Sequence, residues 1–295
     1  MGHVQDNADE SVRRVIDRLK DGNYSYPMDH GATIEVSVSV DKSNRNAVID
    51  FTGTSKQHLG NYNAPRSICR AVVLYVFRTL VGADIPLNEG CMKPLKVIIP
   101  EGSMLNPVYP AAVIAGNTEV SQATCNALYG ALHVIAGSQA TMNNFVWGND
   151  EFQNYETIAG GTGAGPGFNG CDAVQSHMTN TRMTDPEILE KRFPVRLEEF
   201  GIRDNSGGKG HWTGGEGAIR KMRFLTPVTV TTLCSHREIP PFGVDGGANG
   251  GVGRNWAEMP DGTSVALKGN DEINLPEGAV FGMETPGGGG WGQSG

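Results

Sequence analysis

Glycine is gathered into four tight clusters, Gly160–Gly170, Gly207–Gly217, Gly243–Gly253 and Gly287–Gly290, and these limit what the chain can build. A run without side chains cannot form an ordinary core, and glycine in a helix or strand interior weakens it. The clusters therefore demand tight turns, or backbone packed closely against backbone or a ligand. They are not low-complexity repeats, because periodic apolar segments lie between them.

The segments ahead of the first cluster mix helix and strand. Asn7 and Glu10 are spaced as a capping box, and Val12, Val15, Ile16 and Leu19 follow at helical intervals, with Gly22 as the stop. Ile34, Val36, Val38 and Val40 alternate strictly, and a polar turn leads to a second strand over 47–52, which predicts a hairpin with one buried face. A strongly apolar helix is predicted from Ser67 to about Leu80. Short strands are predicted over 95–99 and 111–115, and a helix over 119–136. Asp185 followed by Pro186 marks a further helix start. Beyond Pro194, short β-like runs alternate with glycine turns: 195–202, 218–224, 228–233, 255–258, 264–267 and 279–284. The expected fold class is α+β, with a mixed sheet-and-helix part over 1–194 and a glycine-rich all-β region over 195–295.

Composition excludes several functional classes. The net charge is −8, from 24 basic and 32 acidic residues, and no block of like charge stands out. Such a chain is poorly suited to nucleic acid. No apolar run approaches the ~20 residues of a spanning helix. The N-terminus has no basic segment leading into an apolar one. Cys69, Cys91, Cys125, Cys171 and Cys234 are odd in number and widely spaced, which suits free thiols in a reducing compartment. These features together predict a cytoplasmic protein.

Nucleotide and metal motifs are missing. There is no P-loop, no nucleophile elbow and no paired Cys/His zinc spacing. Gly165 to Gly170 formally matches G-x-G-x-x-G, but Pro166 lies inside it and no helical periodicity follows, so a dinucleotide site is rejected.

The run from Tyr155 to Asp185 has the most chemistry. It holds Glu156, His177, Asn180, Thr181 and Arg182 beside Gly160, Gly161, Gly163 and Gly165. Glycine amides can converge on an oxyanion, a histidine can move protons near neutral pH, and an arginine can clamp phosphate or carboxylate. The plain alternative is a long loop held by its own hydrogen bonds, with Asp185 only capping a helix. Two polar turns are secondary candidates for the wall of a site: Asn117, Glu119, Ser121 and Gln122 where a strand was expected to meet a helix, and Asn143 with Asn144. The first is equally readable as a helix cap. His3, His30, His58, His133, His211 and His236 look scattered.

Several long stretches, in order, resemble the hydantoinase B/5-oxoprolinase family. They include 1–8 (MGHVQDNA), 50–54 (DFTGT), 60–65 (GNYNAP), 84–91 (DIPLNEGC), 99–103 (IPEGS), the run 155–190, and 285–292 (TPGGGGWG). The resemblance covers nearly the whole chain. It implies ATP-dependent hydrolytic opening of a cyclic amide such as 5-oxoproline or a hydantoin. In that family a kinase-like hydantoinase A-type subunit or domain uses ATP and Mg²⁺ to phosphorylate the lactam oxygen, and the B-type part hosts hydrolysis. On this analogy His177, Arg182, Glu156, Asn180 and Thr181 are expected to be catalytic. Gly160, Gly161, Gly163, Gly165, Asn117, Glu119, Ser121, Gln122, Asn143 and Asn144 are expected to bind substrate. B-type subunits carry His/Asp motifs for a divalent metal upstream of the matching region. The expectation is therefore no metal ligands in this chain, no activity without its partner and the upstream part, and a hetero-oligomer. The alternatives are an acetone-carboxylase-like subunit and a non-catalytic assembly module.

Overall fold

The computed structural model describes residues 2–179 and 181–295. The chain forms two compact units, one running through Val134 and the other from Ile135 to Gly295.

In the first unit, α1 (Gly2–Ile16) buries Ala8, Val12 and Ile16. The helix is already running before Asn7, whose carbonyl accepts from Ser11 Oγ at 2.7 Å, so the expected capping box lies in mid-helix. Gly22 opens a strand not foreseen from the sequence, β1 (Gly22–Pro27). It pairs antiparallel with β2 (Thr33–Asp41), which pairs antiparallel with β3 (Asn46–Asp50). The alternation there buries Ile34, Val36 and Val38 on β2 and Ala47 and Ile49 on β3, as a half-buried hairpin requires. Asp41 Oδ1 ties the hairpin turn by accepting from the Ser43 and Asn44 amides.

The chain then forms α2 (Arg66–Leu80), with Cys69, Val72, Val73, Val76 and Phe77 on its buried face, before β4 (Leu95–Ile98) joins β3 in parallel. The strand expected over 111–115 does not form. Asn63 Nδ2 donates to the Ala112 carbonyl and the Ala115 amide to the Asn61 carbonyl, so this backbone is tied to a loop. A π-helical turn over Gly116–Val120 leads into α3 (Ser121–Leu132), which packs on α2, β1 and β2 and is buried on nearly every side. It ends earlier than its apolar pattern suggests, because His133 takes the left-handed conformation (φ 54°) and its amide closes on the Gly130 carbonyl.

The second unit contains β5 (Asn144–Gly148), β6 (Gln153–Thr157), α4 (Pro186–Arg192), β7 (Val195–Arg203), β8 (Gly217–Phe224), β9 (Val228–Leu233), β10 (Arg254–Glu258), β11 (Ser264–Leu267), β12 (Asn270–Leu275) and β13 (Val280–Glu284). Two antiparallel sheets result, ordered β11-β10-β13-β8-β7 and β12-β9-β5-β6. Phe145, Trp147, Met222, Phe224 and Phe281 meet in one core, with Phe145 stacked on Phe281 at 4.5 Å. α4 begins as its sequence indicates, with Asp185 accepting from the Glu187 amide and proline in the first turn.

The chain thus belongs to the α+β class. The division falls at Val134/Ile135 and not near Pro194, because β5 and β6 pair into the same sheet as β9. The sequence did not suggest these two strands, nor β12, whose alternate residues Asn270, Glu272 and Asn274 are polar and exposed.

The glycine clusters assemble together. Successive amides of Gly287, Gly288, Gly289 and Gly290 donate to the carbonyls of Gly251, Gly215, Gly137 and Ala248. The carbonyls of Gly288, Gly289 and Gly290 accept from Gly208, Ala164 and Val244. The closing segment is therefore surrounded by backbone on several sides without joining a sheet. A Cβ on Gly288 would run into the Thr162 carbonyl, and one on Gly161 into the Gly215 carbonyl. The clusters form a core built from peptide groups that hydrogen-bond one another.

Candidate functional site

In the first unit, Glu119, Ser121 and Gln122 lie at the π-turn and the start of α3 and are buried, while Asn117 is exposed. Ser121 Oγ donates to the Asn117 carbonyl at 2.7 Å, which is helix-turn bonding within the element. Glu119 is near Tyr26, whose hydroxyl is pushed strongly up, chiefly by burial.

The remaining candidates belong to the second unit. Asn143 is buried in the left-handed conformation (φ 46°). Its Nδ2 donates to Gln139 Oε1 at 2.8 Å and to the Ile158 carbonyl at 2.9 Å, and its Oδ1 accepts from Arg237 Nη1 at 2.9 Å. Asn144 Nδ2 donates to the Leu233 carbonyl, and its Oδ1 accepts from the Tyr155 hydroxyl at 2.6 Å. Both side chains brace the strand ends.

Glu156 is locked to Arg220. Both side chains are 2% exposed, and Arg220 Nη2 lies 3.0 Å from each carboxylate oxygen, with Nε at 3.2 Å from Oε2. Burial raises the Glu156 pKa against the opposing pull of the guanidinium. The glycine amides are likewise engaged within the fold. Gly161 donates to the Pro286 carbonyl, Gly163 to Ser138 Oγ and Gly165 to the Phe168 carbonyl, while Gly160 forms a bridge with Val174. In this conformation they hold the loop and do not converge on an open space. The Gly165–Phe168 pairing is a closed turn, unlike a dinucleotide loop leading into a helix.

The polar groups that remain gather over 175–182. Gln175 Nε2 donates to the Thr157 carbonyl at 3.2 Å and to Thr157 Oγ1 at 3.0 Å, and the Thr157 and Thr181 hydroxyls are hydrogen-bonded to one another. Gln175 Oε1 is buried without a hydrogen-bond partner among the described residues. His177 is half-buried in the left-handed conformation (φ 55°), and desolvation lowers its pKa to about 4. The ring is therefore neutral near pH 7, able to donate from one nitrogen and accept at the other. Arg182 and Thr181 are exposed. Asn180 lies outside the described residues. This short segment offers an orphaned acceptor, a neutral imidazole, hydroxyls and an exposed guanidinium. Groups of these kinds can hydrogen-bond an amide and attract an anion; Gln175 Oε1 is itself closed to solvent. Among the described residues, no group of three or more His, Cys, Asp or Glu side chains is arranged to hold a metal ion.

The family model for hydantoinase B/oxoprolinase matches residues 1–294. The chain belongs to the hydantoinase B/oxoprolinase family. It is 42% identical to 5-oxoprolinase 1 of Arabidopsis thaliana over 100% of its own length, and it spans 24% of the length of that relative. Two solved structures share the fold at lower identity. The ATP-dependent caprolactamase from Pseudomonas jessenii superposes with a TM-score of 0.80 at 20% identity, over 98% of this chain and 55% of that one. An acetone carboxylase in its nucleotide-free form does so with a TM-score of 0.81 at 17% identity, over 97% of this chain and 47% of that one.

The structure also gives this hydantoinase B/oxoprolinase chain partnerships that its sequence hid. His30 and His58, which look scattered, come together with Tyr62, with ring centroids 5.0 Å apart for the two histidines and 4.2 Å for His30 and Tyr62. Arg220 and Arg237 hold the groups described above, and their partners lie on elements distant in sequence. The one usable signal for Arg220 is a lone cation in the apolar alternation of β8.

Proposed function

We propose that this chain forms part of an ATP-dependent enzyme that opens a cyclic amide by hydrolysis, with 5-oxoproline favoured over a hydantoin. The observation that carries this reading is the 42% identity to a 5-oxoprolinase along the full chain. The 175–182 segment agrees with it in chemistry. A lactam presents an N–H donor to the orphaned Gln175 Oε1 and a carbonyl to the neutral His177. The exposed Arg182, in this reading, meets the substrate carboxylate or the phosphate introduced on the lactam oxygen. In this reading an A-type, kinase-like partner uses ATP and Mg²⁺ to phosphorylate that oxygen. Water then adds to the activated carbon, the C–N bond breaks with the ring nitrogen leaving as a protonated amine, and a second water hydrolyses the resulting acyl phosphate to release the open-chain carboxylate and phosphate. Thr157 ties the segment to β6, while its neighbour Glu156 is paired with Arg220 and in this reading takes no part in proton transfer.

The test is reconstitution with the kinase-like polypeptide, measuring ATP turnover with 5-oxoproline, hydantoin or acetone. Turnover dependent on 5-oxoproline, with glutamate released, is expected. Turnover with acetone alone would replace this reading by an acetone-carboxylase-like one. Unchanged activity after alanine substitution of Gln175, His177 and Arg182 would reduce the segment to an assembly role.

A further inference from the structure

A pocket of about 400 Å³ opens beside β10 and β11, and none of its lining residues belongs to the 175–182 segment. Arg237, Arg254, Asn255, Trp256, Leu267 and Glu284 contribute to its wall. Its volume falls within the range of small-molecule sites, roughly 300–1,000 Å³.

The charge around it is unbalanced. Glu284 Oε2 accepts from Arg254 Nη2 at 2.6 Å and lies 3.0 Å from Arg203 Nε. Arg237 stands at the same cavity, so three guanidiniums gather near one carboxylate. Glu216, the other acid close to Arg203, is already engaged by the Ser206 and Gly207 amides and by Ser206 Oγ. Burial lowers the Arg203 pKa; Glu284 opposes this, and Arg254 and Arg237 add to it. Glu258 also stands beside the pocket, accepting from Trp256 Nε1 at 2.9 Å, and Lys221 lies over the same ring.

Arg237 is also held in place. Its Nε and Nη2 donate to Asn255 Oδ1 at 3.3 and 2.9 Å, and its Nη1 donates to Asn143 Oδ1 at 2.9 Å and to the Ser235 carbonyl at 2.8 Å. A surface ion network accounts for Arg254 and Glu284. It does not account for a second guanidinium fixed by two buried asparagines at the wall of a cavity that also presents Trp256 and Leu267. A pre-positioned arginine loses little freedom on binding an oxyanion.

We infer that this pocket binds a small organic oxyanion, a carboxylate or phosphate monoester carrying a flat or apolar body. The anionic group meets Arg237 and Arg254, and the body lies toward Trp256 and Leu267. Arg237 bonds Asn143, and Asn143 bonds Gln139, so the occupied pocket is linked by hydrogen bonds to the residues packed under Gly160.

The test is calorimetric titration of the 295-residue chain with hexanoate, phenyl phosphate and inorganic phosphate, alongside NMR of the tryptophan indole groups. Saturable binding of hexanoate or phenyl phosphate is expected, tighter than inorganic phosphate, with movement of the indole signal that Trp256→Phe deletes. Which of the two organic probes binds more tightly identifies the anionic group. Arg254→Gln should weaken binding roughly tenfold, the size of one charge-assisted hydrogen bond, with an unchanged melting temperature. Arg237→Lys keeps the charge but loses the hydrogen bonds to Asn255, Asn143 and the Ser235 carbonyl that fix it in place, and should weaken it as well. No saturable binding of either organic probe, or wild-type affinity in Arg254→Gln, would overturn the inference.

Discussion

Glu156 on β6 and Arg220 on β8 form a two-pronged ion pair, closed to solvent on both sides, that ties the two sheets of the second unit together. Removing one partner leaves an uncompensated buried charge, which typically costs about 3–5 kcal/mol. Glu156→Ala and Arg220→Ala should each lower the unfolding free energy by that order. The double change Glu156→Leu with Arg220→Met should recover most of it. Urea unfolding of the three variants is the check, and near-wild-type stability in either single variant would contradict the structural assignment.

The backbone core makes a sharper prediction. Gly161→Ala and Gly288→Ala would push a methyl group into a neighbouring carbonyl, and displaced backbone cannot rotate away as a side chain can. A loss of about 1–3 kcal/mol or more is expected for each. Gly201→Ala, on β7, meets nothing within 4 Å and should stay within about 0.5 kcal/mol of the parent. Thermal melts of the three proteins separate packing from general glycine effects.

The His177 pKa is lowered in the folded chain, to about 4 from an ordinary 6.5. Above the ordinary value the ring is neutral in both states and contributes no pH dependence. As pH falls from about 6.5 to about 4, the unfolded chain takes up the proton and the folded one does not. Stability should therefore drop across that window and level off below it. His177→Gln should flatten this part of the profile, measured as urea midpoints against pH. An unchanged slope would show that the ring titrates normally.

Arg182 is exposed and packs into no core, so its role can be tested without unfolding the protein. In the reconstituted complex, Arg182→Ala should raise KM by roughly tenfold or more, as loss of a charge-assisted contact implies, with the melting temperature unchanged. Parallel loss of folding and activity would instead make Arg182 structural.

The sequence by itself determined the local elements whose pattern is complete within a few residues. The alternation of β2 and β3, the apolar face of α2 and the Asp185–Pro186 start of α4 all appear where their residues place them. The α+β class and the family followed from the sequence, and the 155–185 run was readable as the stretch with most chemistry. Tertiary structure decided what each polar group does. The glycines of 160–165 looked like an anion cradle, because a sequence cannot show that other backbone segments fill the space a Cβ would take. Glu156 looked available, because Arg220 reaches it only when β6 and β8 are brought face to face. The π-turn at Gly116–Val120, the strands β5, β6 and β12, and the meeting of His30 with His58 likewise depend on partners remote in sequence. Local propensity fixes an element when its own period is strong; the satisfaction of a buried charge or amide is settled only by what packs against it.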